Sequence, residues 1–184
     1  IVWTAIPVFI LLALAVPTAK TLIRLEDSRD PDVTIVATGY QWKWHYQYQD
    51  EDLGFYSTLS GESLEARRKQ AATDPFSVDN YLLEVDNPIV VPVNKKVRLL
   101  LTSNDVIHAW WVPELAIKKD AIPGIINETW FRANEVGTYR GQCTELCGKD
   151  HGYMPIVVEV VEQDAFQAWV DSRKNGEAQL ASAQ

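Results

Sequence analysis

Cysteine, histidine and methionine are scarce in this 184-residue chain, which holds two cysteines, three histidines and one methionine. No Cys-x-x-Cys-His sequence occurs, which excludes a covalently attached haem of the c type. Basic residues are also few, since 17 lysines and arginines against 25 acidic residues give a formal net charge of −8. This charge argues against a nucleic-acid partner and favours either a cationic partner or simple solubility.

Charge is absent from residues 1–19, where isoleucine, valine, leucine, phenylalanine and alanine dominate. Extended past Lys20 to Ile23, this segment would span about 30 Å as a helix, which matches a bilayer core. A secretory signal peptide would need a basic region before a shorter apolar core, and a buried soluble helix is the other alternative. We predict a transmembrane helix over 1–24 and a charged connector over 25–31. Because the only methionine is Met154, residue 1 is not a translation start, and we expect further sequence upstream.

Short β-type segments separated by turn residues make up most of the remaining chain. Residues 33–48 form one run in which aromatic and polar side chains alternate, so that the even-numbered aromatics share one face of a strand. Residues 50–80 are a polar excursion, with a short surface helix near 62–70. Further strands are predicted at 82–85, 89–93, 97–103, 108–112, 128–133, 137–143 and 155–161. Many short strands at this spacing indicate a sandwich or a Greek-key barrel.

A helix start is indicated at Asp164, because Gln167 follows at the capping-box position. The apolar stripe of this helix consists of Phe166, Trp169 and Val170. We predict a short helix that ends before Gly176, followed by a frayed tail. The chain then divides into a mainly β domain over 32–162 and a C-terminal helix and tail over 163–184.

The loop from Cys143 to Met154 carries the chemistry of this chain. Two thiols, one imidazole and one thioether fall within it, because it also contains Cys147 and His151. Thiolate and thioether are soft ligands that select copper, zinc or iron–sulfur, whereas imidazole suits copper and zinc. The thioether favours copper, since structural zinc sites use cysteine and histidine.

The number of thiols points to more than one copper ion. A single-copper blue site uses two histidines, one cysteine and a weak methionine ligand, which leaves one cysteine over. The economical use of the surplus thiolate is to bridge a second copper. His108, at the start of a strand after a turn, is the candidate for the distant histidine, and His45 is interpreted as an ordinary histidine. The alternatives are a disulfide between the two cysteines and Met154 as core filler.

The loop 143–154 resembles the dinuclear copper (CuA) signature of cytochrome c oxidase subunit II. The sequences DVIH at 105–108, KDAIPG at 119–124 and GYQWKW at 39–44 resemble the same family. The resemblance extends from the apolar segment to about Trp169. It implies a cupredoxin-like Greek-key β-sandwich. It also implies a subunit that takes electrons from a cytochrome c-type donor and passes them to haem in oxidase subunit I, where oxygen is reduced.

The resemblance implies a complete ligand set for two coppers. Both thiolates would bridge the metals, two histidines would bind one metal each, and the methionine and a backbone carbonyl would complete the two coordination spheres. In chain order these ligands are His108, Cys143, the carbonyl of Glu145, Cys147, His151 and Met154. The Glu145 carboxylate would also reach a magnesium ion shared with the catalytic subunit.

Residues that serve the electron donor are implied as well. Trp42 resembles the surface tryptophan at which the electron from cytochrome c enters, and Asp86 and Asp105 match acidic residues that dock the cytochrome. Lys43 stands where an aromatic residue commonly separates the two tryptophans, and Asn104 stands where an acid can precede the aspartate. Both departures weaken an acidic docking face.

The implied location is a bacterial or mitochondrial inner membrane, with the copper domain on the periplasmic or intermembrane-space side and other oxidase subunits around it. The family has two membrane helices before this domain, of which only the second would be present. Two related proteins are alternatives to this interpretation. The copper domain of nitrous oxide reductase has a similar loop but normally follows a propeller domain instead of a membrane helix. Quinol oxidase subunit II shares the fold but lacks the copper ligands that are present here. From another functional class, a copper chaperone or a disulfide-stapled binding module on a membrane anchor is the alternative.

Overall fold

A computed structural model describes residues 1–68 and 73–182 of the chain, which divides into two compact units, Ile1–Asp30 and Pro31–Gln184. The first unit is built on helix α1, Val2–Leu25, which has no buried residues and contains Pro7 and Pro17. This helix is long and apolar enough to cross a membrane. The structure therefore confirms an apolar helix of spanning length at the predicted position.

Within the described residues, the second unit contains two five-stranded β-sheets and two further α-helices. The strands are β1 Val33–Tyr40, β2 Lys43–Tyr48, β3 Leu53–Ser57, β4 Ile89–Pro92, β5 Val97–Ser103, β6 His108–Val112, β7 Ile117–Ala121, β8 Asn127–Phe131, β9 Gly137–Cys143 and β10 Pro155–Val161; the helices are α2 Gly61–Ala66 and α3 Gln163–Ser182. The strand orders are β3-β2-β1-β5-β8 and β4-β10-β9-β6-β7. Parallel pairing of β1 with β5 and of β10 with β4 requires long crossovers. This architecture is the predicted cupredoxin-like Greek-key sandwich.

The core lies between the two sheets, and each sheet contributes alternate side chains to it. Aromatic residues of the first sheet also make polar contacts with the second. The Tyr48 hydroxyl donates to the Val90 carbonyl at 2.7 Å and accepts from the Val90 amide at 2.9 Å. The Trp110 indole donates to the Tyr46 hydroxyl at 3.2 Å. These buried polar groups are hydrogen-bonded, which offsets the cost of removing them from water, and they help to fix the relative position of the sheets.

The aromatic run at 33–48 forms a hairpin rather than one strand, which corrects the prediction. A two-residue turn at Gln41 and Trp42 joins β1 to β2, with Tyr40 paired opposite Lys43. Burial consequently changes from odd positions in β1 to even positions in β2, so Tyr40 does not share the face of Trp44. The hairpin was not predicted because its turn has none of the Asn-Gly or Asp-Gly pairs that normally mark two-residue turns.

Other strand predictions fail at the edges of the sheets. The predicted strand at 82–85 is absent, because Leu82 has a left-handed φ of 62° and only Val85 makes an isolated bridge. β8 begins one residue earlier and ends two residues earlier than predicted. β3 and β7 were not predicted, since β3 contains Gly54 and β7 carries three consecutive charged residues.

Both C-terminal helix bounds differ from the prediction. α3 begins at Gln163, so Asp164 lies in the first turn instead of capping it, and the helix continues through Gly176 to Ser182. A lone glycine costs a helix only about 1 kcal/mol, which is too little to end it. The predicted stripe is confirmed, because Phe166 and Val170 are buried and Trp169 packs against the core.

In the polar excursion at 50–80, α2 covers part of the helix predicted at 62–70. Residues 69–70 of that prediction, and the tail at 183–184, lie outside the described residues.

Candidate metal centre

One end of the second sheet brings the predicted ligand residues together. His108 begins β6 and Cys143 ends β9, and these two strands are adjacent in the sheet. Cys147 and His151 lie in the loop that connects β9 to β10. The amide of Cys143 donates to the carbonyl of Met154 at 3.1 Å, which closes this loop at its base. Strand pairing therefore gathers residues that are far apart in sequence.

The two cysteines face each other as free thiols. The Sγ atoms of Cys143 and Cys147 are 3.9 Å apart, and both residues are buried. A disulfide has an S–S distance of about 2.0 Å, so the thiols are not bonded to each other. The pair is therefore available as two sulfur ligands on one side of a shared site.

Each thiol has its own imidazole neighbour. Nδ1 of His108 lies 3.8 Å from Sγ of Cys143, and Nδ1 of His151 lies 3.4 Å from Sγ of Cys147. The ligand atoms of His108, Cys143 and Cys147 all lie within 4.8 Å of one another. Two thiols therefore lie side by side in this cluster, with one imidazole next to each of them.

The same loop contains two further potential donors. The backbone carbonyl of Glu145 lies 3.5 Å from Sγ of Cys143, while the Glu145 residue is exposed. Met154 is buried and belongs to the same apolar cluster as both cysteines. With the two thiols and two imidazoles, these groups make six donors. Six donors exceed the four of a structural zinc site, and the thioether among them favours copper.

Asp105 holds the imidazole of His108. The His108 side chain is 0% exposed, and its Nε2 lies 2.9 Å from Oδ1 of Asp105. Asp105 also accepts hydrogen bonds from the amides of Gln41 and Val106, at 2.7 Å each. A carboxylate on the remote nitrogen orients the ring and leaves Nδ1 toward the thiols. Substitution of Asp105 would therefore move His108 as well as remove a surface charge.

The thiols differ in acidity because they differ in their neighbours. Burial and the adjacent Cys143 raise the pKa of the Cys147 thiol to about 12. Burial also opposes ionisation of Cys143, but hydrogen bonds with His108 and with the backbone outweigh it and lower the pKa of this thiol. Burial disfavours the imidazolium of His108, yet Cys143 and Asp105 together raise its pKa. A metal that binds both sulfurs as thiolates would have to displace protons from the site.

Gln41 links the two halves of the cluster, a role that sequence reasoning missed. Its amide donates to Asp105, and its side-chain Nε2 donates to the carbonyl of Cys147 at 2.8 Å. The carboxylate beside His108 and the backbone of the second cysteine are thus held by one residue. The sequence carried no signal for this contact, because a glutamine alone indicates no particular chemistry.

Trp42 lies in the turn beside the ligand loop and is half-buried. A methyl group placed on Gly148 would come within 3.2 Å of Cζ2 of Trp42 and 3.0 Å of Nε2 of Gln41. Gly148 also has a φ of +121°, a conformation that favours glycine. The indole ring therefore packs directly on the loop that carries the ligands. Its Nε1 is buried and has no hydrogen-bond partner within the described residues.

The remaining predicted residues lie elsewhere on the domain. Asp86 is exposed, and its carboxylate accepts hydrogen bonds from the amide and the hydroxyl of Thr58 at 2.7 and 2.9 Å. His45 lies on β2 with its ring 4.8 Å from that of Tyr56. Burial lowers the pKa of His45, which favours a neutral packed imidazole.

Gly39 leaves room for the His108 ring, and this predicts a sensitive position outside the ligand set. A methyl group at Gly39 would lie 2.7 Å from Cδ2 and 2.9 Å from Cγ of His108, inside normal carbon contact distance. We expect Gly39→Ala to displace the imidazole and to destabilise the domain by about 1–3 kcal/mol. Urea denaturation and the copper spectrum are the measurements.

The matched control for this substitution is Gly61→Ala, because a methyl group there has no neighbour within 4 Å. This control should leave stability and spectrum unchanged. A Gly39→Ala variant with full copper content and an unaltered spectrum would contradict this expectation. It would show that the backbone of the sheet shifts to accommodate the methyl group while His108 keeps its position.

Comparisons with known proteins agree with these features. A family model described as the periplasmic domain of cytochrome c oxidase subunit II matches residues 33–161. Cytochrome c oxidase subunit 2 of Myxine glutinosa is 42% identical over 169 residues, which is 92% of this chain and 70% of that protein. A probable cytochrome c oxidase subunit 2 of Rickettsia bellii (strain RML369-C) is 46% identical over 183 residues, or 96% of this chain.

Similarity also extends to a solved structure. The crystal structure of the periplasmic domain of subunit II of cytochrome oxidase (CoxB) of Bradyrhizobium japonicum matches with a TM-score of 0.69 and 44% identity. The match covers 81% of this chain and 98% of that domain. The chain nevertheless spans only 64% of the length of the Rickettsia bellii protein.

Proposed function

Because this chain belongs to the cytochrome c oxidase subunit II family, we propose that it is the subunit through which electrons enter a haem–copper respiratory oxidase. It accepts single electrons from a cytochrome c-type donor, holding a dinuclear copper (CuA) centre for this purpose. It passes them to haem in oxidase subunit I, where oxygen is reduced to water beside haem and CuB. The match over residues 33–161 supports the family, and the ligand cluster supports the copper centre.

The observation that carries this proposal is a pair of free, buried thiols 3.9 Å apart with a separate imidazole facing each sulfur. The proposed ligands are His108, Cys143, the Glu145 carbonyl, Cys147, His151 and Met154. When bound, the copper pair would supply one-electron oxidation and reduction. The residues of the chain keep the ligands in place: His108 is fully buried at the start of a strand, and Asp105 fixes its ring.

Glu145 has two proposed roles that its geometry allows. Its carbonyl lies beside Cys143, and its residue is exposed. An exposed side chain is what a magnesium ion shared with a catalytic subunit requires, because part of the coordination must come from the other chain. We therefore keep the Glu145 carboxylate as the proposed magnesium ligand.

The proposed arrangement in the membrane follows from the apolar helix and the family. We assign 1–24 as the membrane anchor, 25–31 as the connector, 32–162 as the copper domain and 163–184 as the C-terminal helix and tail. The length and composition of α1 support the anchor. The matched family model describes a periplasmic domain, which supports a position on the periplasmic or intermembrane-space side of an inner membrane.

Trp42 is the proposed point of electron uptake, because its ring packs on the ligand loop while remaining partly accessible. Asp86 and Asp105 are the proposed docking acids for the cytochrome. Both carboxylates already accept hydrogen bonds within the domain. Their contribution to docking would therefore come from long-range charge rather than from direct contacts.

A metal count combined with electron paramagnetic resonance tests the proposed function on the full chain. Two coppers sharing one unpaired electron would support the dinuclear centre. One copper per chain would indicate a blue-type site, and no copper would indicate a binding module on an anchor. A copper chaperone would instead release its metal readily to a competing acceptor, which a transfer assay detects.

Met154→Leu tests the proposed weak ligand. A weak thioether ligand would tune the reduction potential more than it would hold the metal. We expect this variant to keep its copper, to shift the potential and to lose less than about 1.5 kcal/mol of stability, because leucine and methionine are similar in volume. Potentiometry followed by optical spectroscopy measures the shift.

Leu53→Met is the control for the swap itself, since Leu53 is equally buried on β3. This control should change neither copper content nor potential. Complete loss of copper from a folded Met154→Leu variant would mean that methionine holds the metal, which contradicts the tuning role.

A further inference from the structure

The polar excursion between β3 and β4 contains a helix that is fixed to the domain. Ser63 of α2 is fully buried, and its hydroxyl accepts a hydrogen bond from the amide of Leu82 at 3.1 Å. The amide of Ser60, the residue that caps α2, donates to the carbonyl of Glu84 at 2.9 Å. α2 is therefore a positioned element, so residues at its end have a defined place relative to the sheets.

Arg67, directly after α2, extends from this element to the ligand loop. Its Nη2 lies 2.9 Å from Oδ1 of Asp150, and its guanidinium carbon lies 3.8 Å from the centre of the Tyr153 ring. Asp150 and Tyr153 are the two ends of one turn, because the Tyr153 amide donates to the Asp150 carbonyl at 2.9 Å. His151 lies inside that turn. One side chain from outside the loop thus contacts both ends of the turn that carries His151.

We infer that Arg67 is a positioning residue for His151. The two histidines of the cluster differ in how they are held, since His108 is buried in a strand and bonded to Asp105. His151 is half-buried in a turn of the loop. Arg67 supplies to this turn the restraint that the sheet supplies to His108. The inference rests on the proposed copper centre, because it is there that the placement of His151 matters.

The chemistry of the contact favours arginine specifically. A planar guanidinium can form an ion pair in its plane while its face stacks on an aromatic ring, and an ammonium group cannot do both equally well. The pair is also shielded, with side-chain exposures of 25% for Arg67 and 19% for Asp150. The neighbouring pair of Arg68 with Glu65 is open to solvent, at 61% and 58%. Shielding from water makes the first pair the stronger restraint.

Amide hydrogen exchange on the metal-free full chain tests the restraint without copper. We expect Arg67→Ala to exchange about five- to tenfold faster at 150–153, since an ion pair and a cation–π contact each contribute modestly. Arg67→Lys should restore part of the protection. Arg68→Ala is the matched control, because it removes a charge from the adjacent position but contacts Glu65 instead of the loop.

The copper-loaded variants then test whether the restraint reaches the ligand. Arg67→Ala should lose copper to a chelator faster and show an altered paramagnetic resonance spectrum, while Arg68→Ala should match the unmodified chain. Unchanged exchange at 150–153 overturns the inference. Faster exchange with an unaltered spectrum and unaltered copper loss also overturns it, because the contact would then be structural only. If the unmodified chain holds no copper pair, the proposed function fails, while the exchange result still decides whether Arg67 restrains the turn.

Discussion

Cys147→Ser is expected to leave the sandwich folded and to abolish the dinuclear copper centre. Serine replaces a soft thiolate with a hard hydroxyl that does not bridge copper, so at most one copper should remain, bound in a blue-type site at Cys143. Cys147 lies in the loop rather than in a strand, and burying a hydroxyl in its place costs about 1–3 kcal/mol if it finds no partner. Copper quantification, paramagnetic resonance and thermal unfolding of the metal-free chain are the measurements.

Lys149→Ser is the control for this experiment, because it introduces serine at an exposed position of the same loop and keeps both thiols. It should bind two coppers with the unmodified spectrum. If Cys147→Ser also kept two coppers and an unchanged spectrum, the bridging role of Cys147 would be wrong, and the 3.9 Å separation of the thiols would reflect packing alone.

Four interior strands were predicted with their observed bounds, whereas none of the edge strands was. β5, β6, β9 and β10 lie inside their sheets and have the predicted bounds. Edge strands β3 and β7 were not predicted, and β4 and β8 end at other residues than expected. Of these edge strands, β3 contains Gly54 and β7 carries three consecutive charged residues, and such features discourage edge-to-edge association. The apolar pattern that marks a strand in the sequence is therefore interrupted in β3 and β7.

The ligand loop could be identified from the sequence because its donors are close together in the chain. The family resemblance that it suggested is confirmed by the match over 33–161. The residues that orient the ligands could not be identified in this way. Gln41 reaches Cys147 across 106 positions, and Arg67 reaches Asp150 across 83. Such contacts depend on how the sheets and the excursion pack, which no local pattern encodes.

The structure gives Asp105 a second possible role besides docking, which is to orient His108. Its place in the sequence suggested a docking acid, whereas its carboxylate lies on Nε2 of His108 and on the amide of Gln41. A weaker association after Asp105→Asn would therefore have two explanations, lost surface charge and a displaced ligand. Electron uptake is better tested at a residue that contacts the loop through packing alone.

Trp42→Ala is expected to slow electron uptake from the cytochrome sharply while copper content and spectrum stay unchanged. The indole packs on Gly148 of the ligand loop, so it places an aromatic ring between the surface and the loop that carries the proposed ligands. Truncation of a half-buried tryptophan should cost up to about 3 kcal/mol, less than in a core. Trp42→Phe keeps part of the packing and of the π-system, so it should give an intermediate rate. Stopped-flow reduction at several salt concentrations is the measurement.

Salt dependence separates electron uptake at Trp42 from docking. Charge-driven docking is screened over about 8–10 Å at moderate ionic strength, whereas the loss of an aromatic path slows the reaction at every salt concentration. Trp42→Ala should therefore lower the rate without changing its dependence on salt. Trp130→Ala is the control, since Trp130 is also half-buried but lies on β8, at the far edge of the same sheet, under Lys96. Normal uptake by the Trp42 variant would mean that the turn only packs on the loop, and that electrons reach the copper site through another part of the surface.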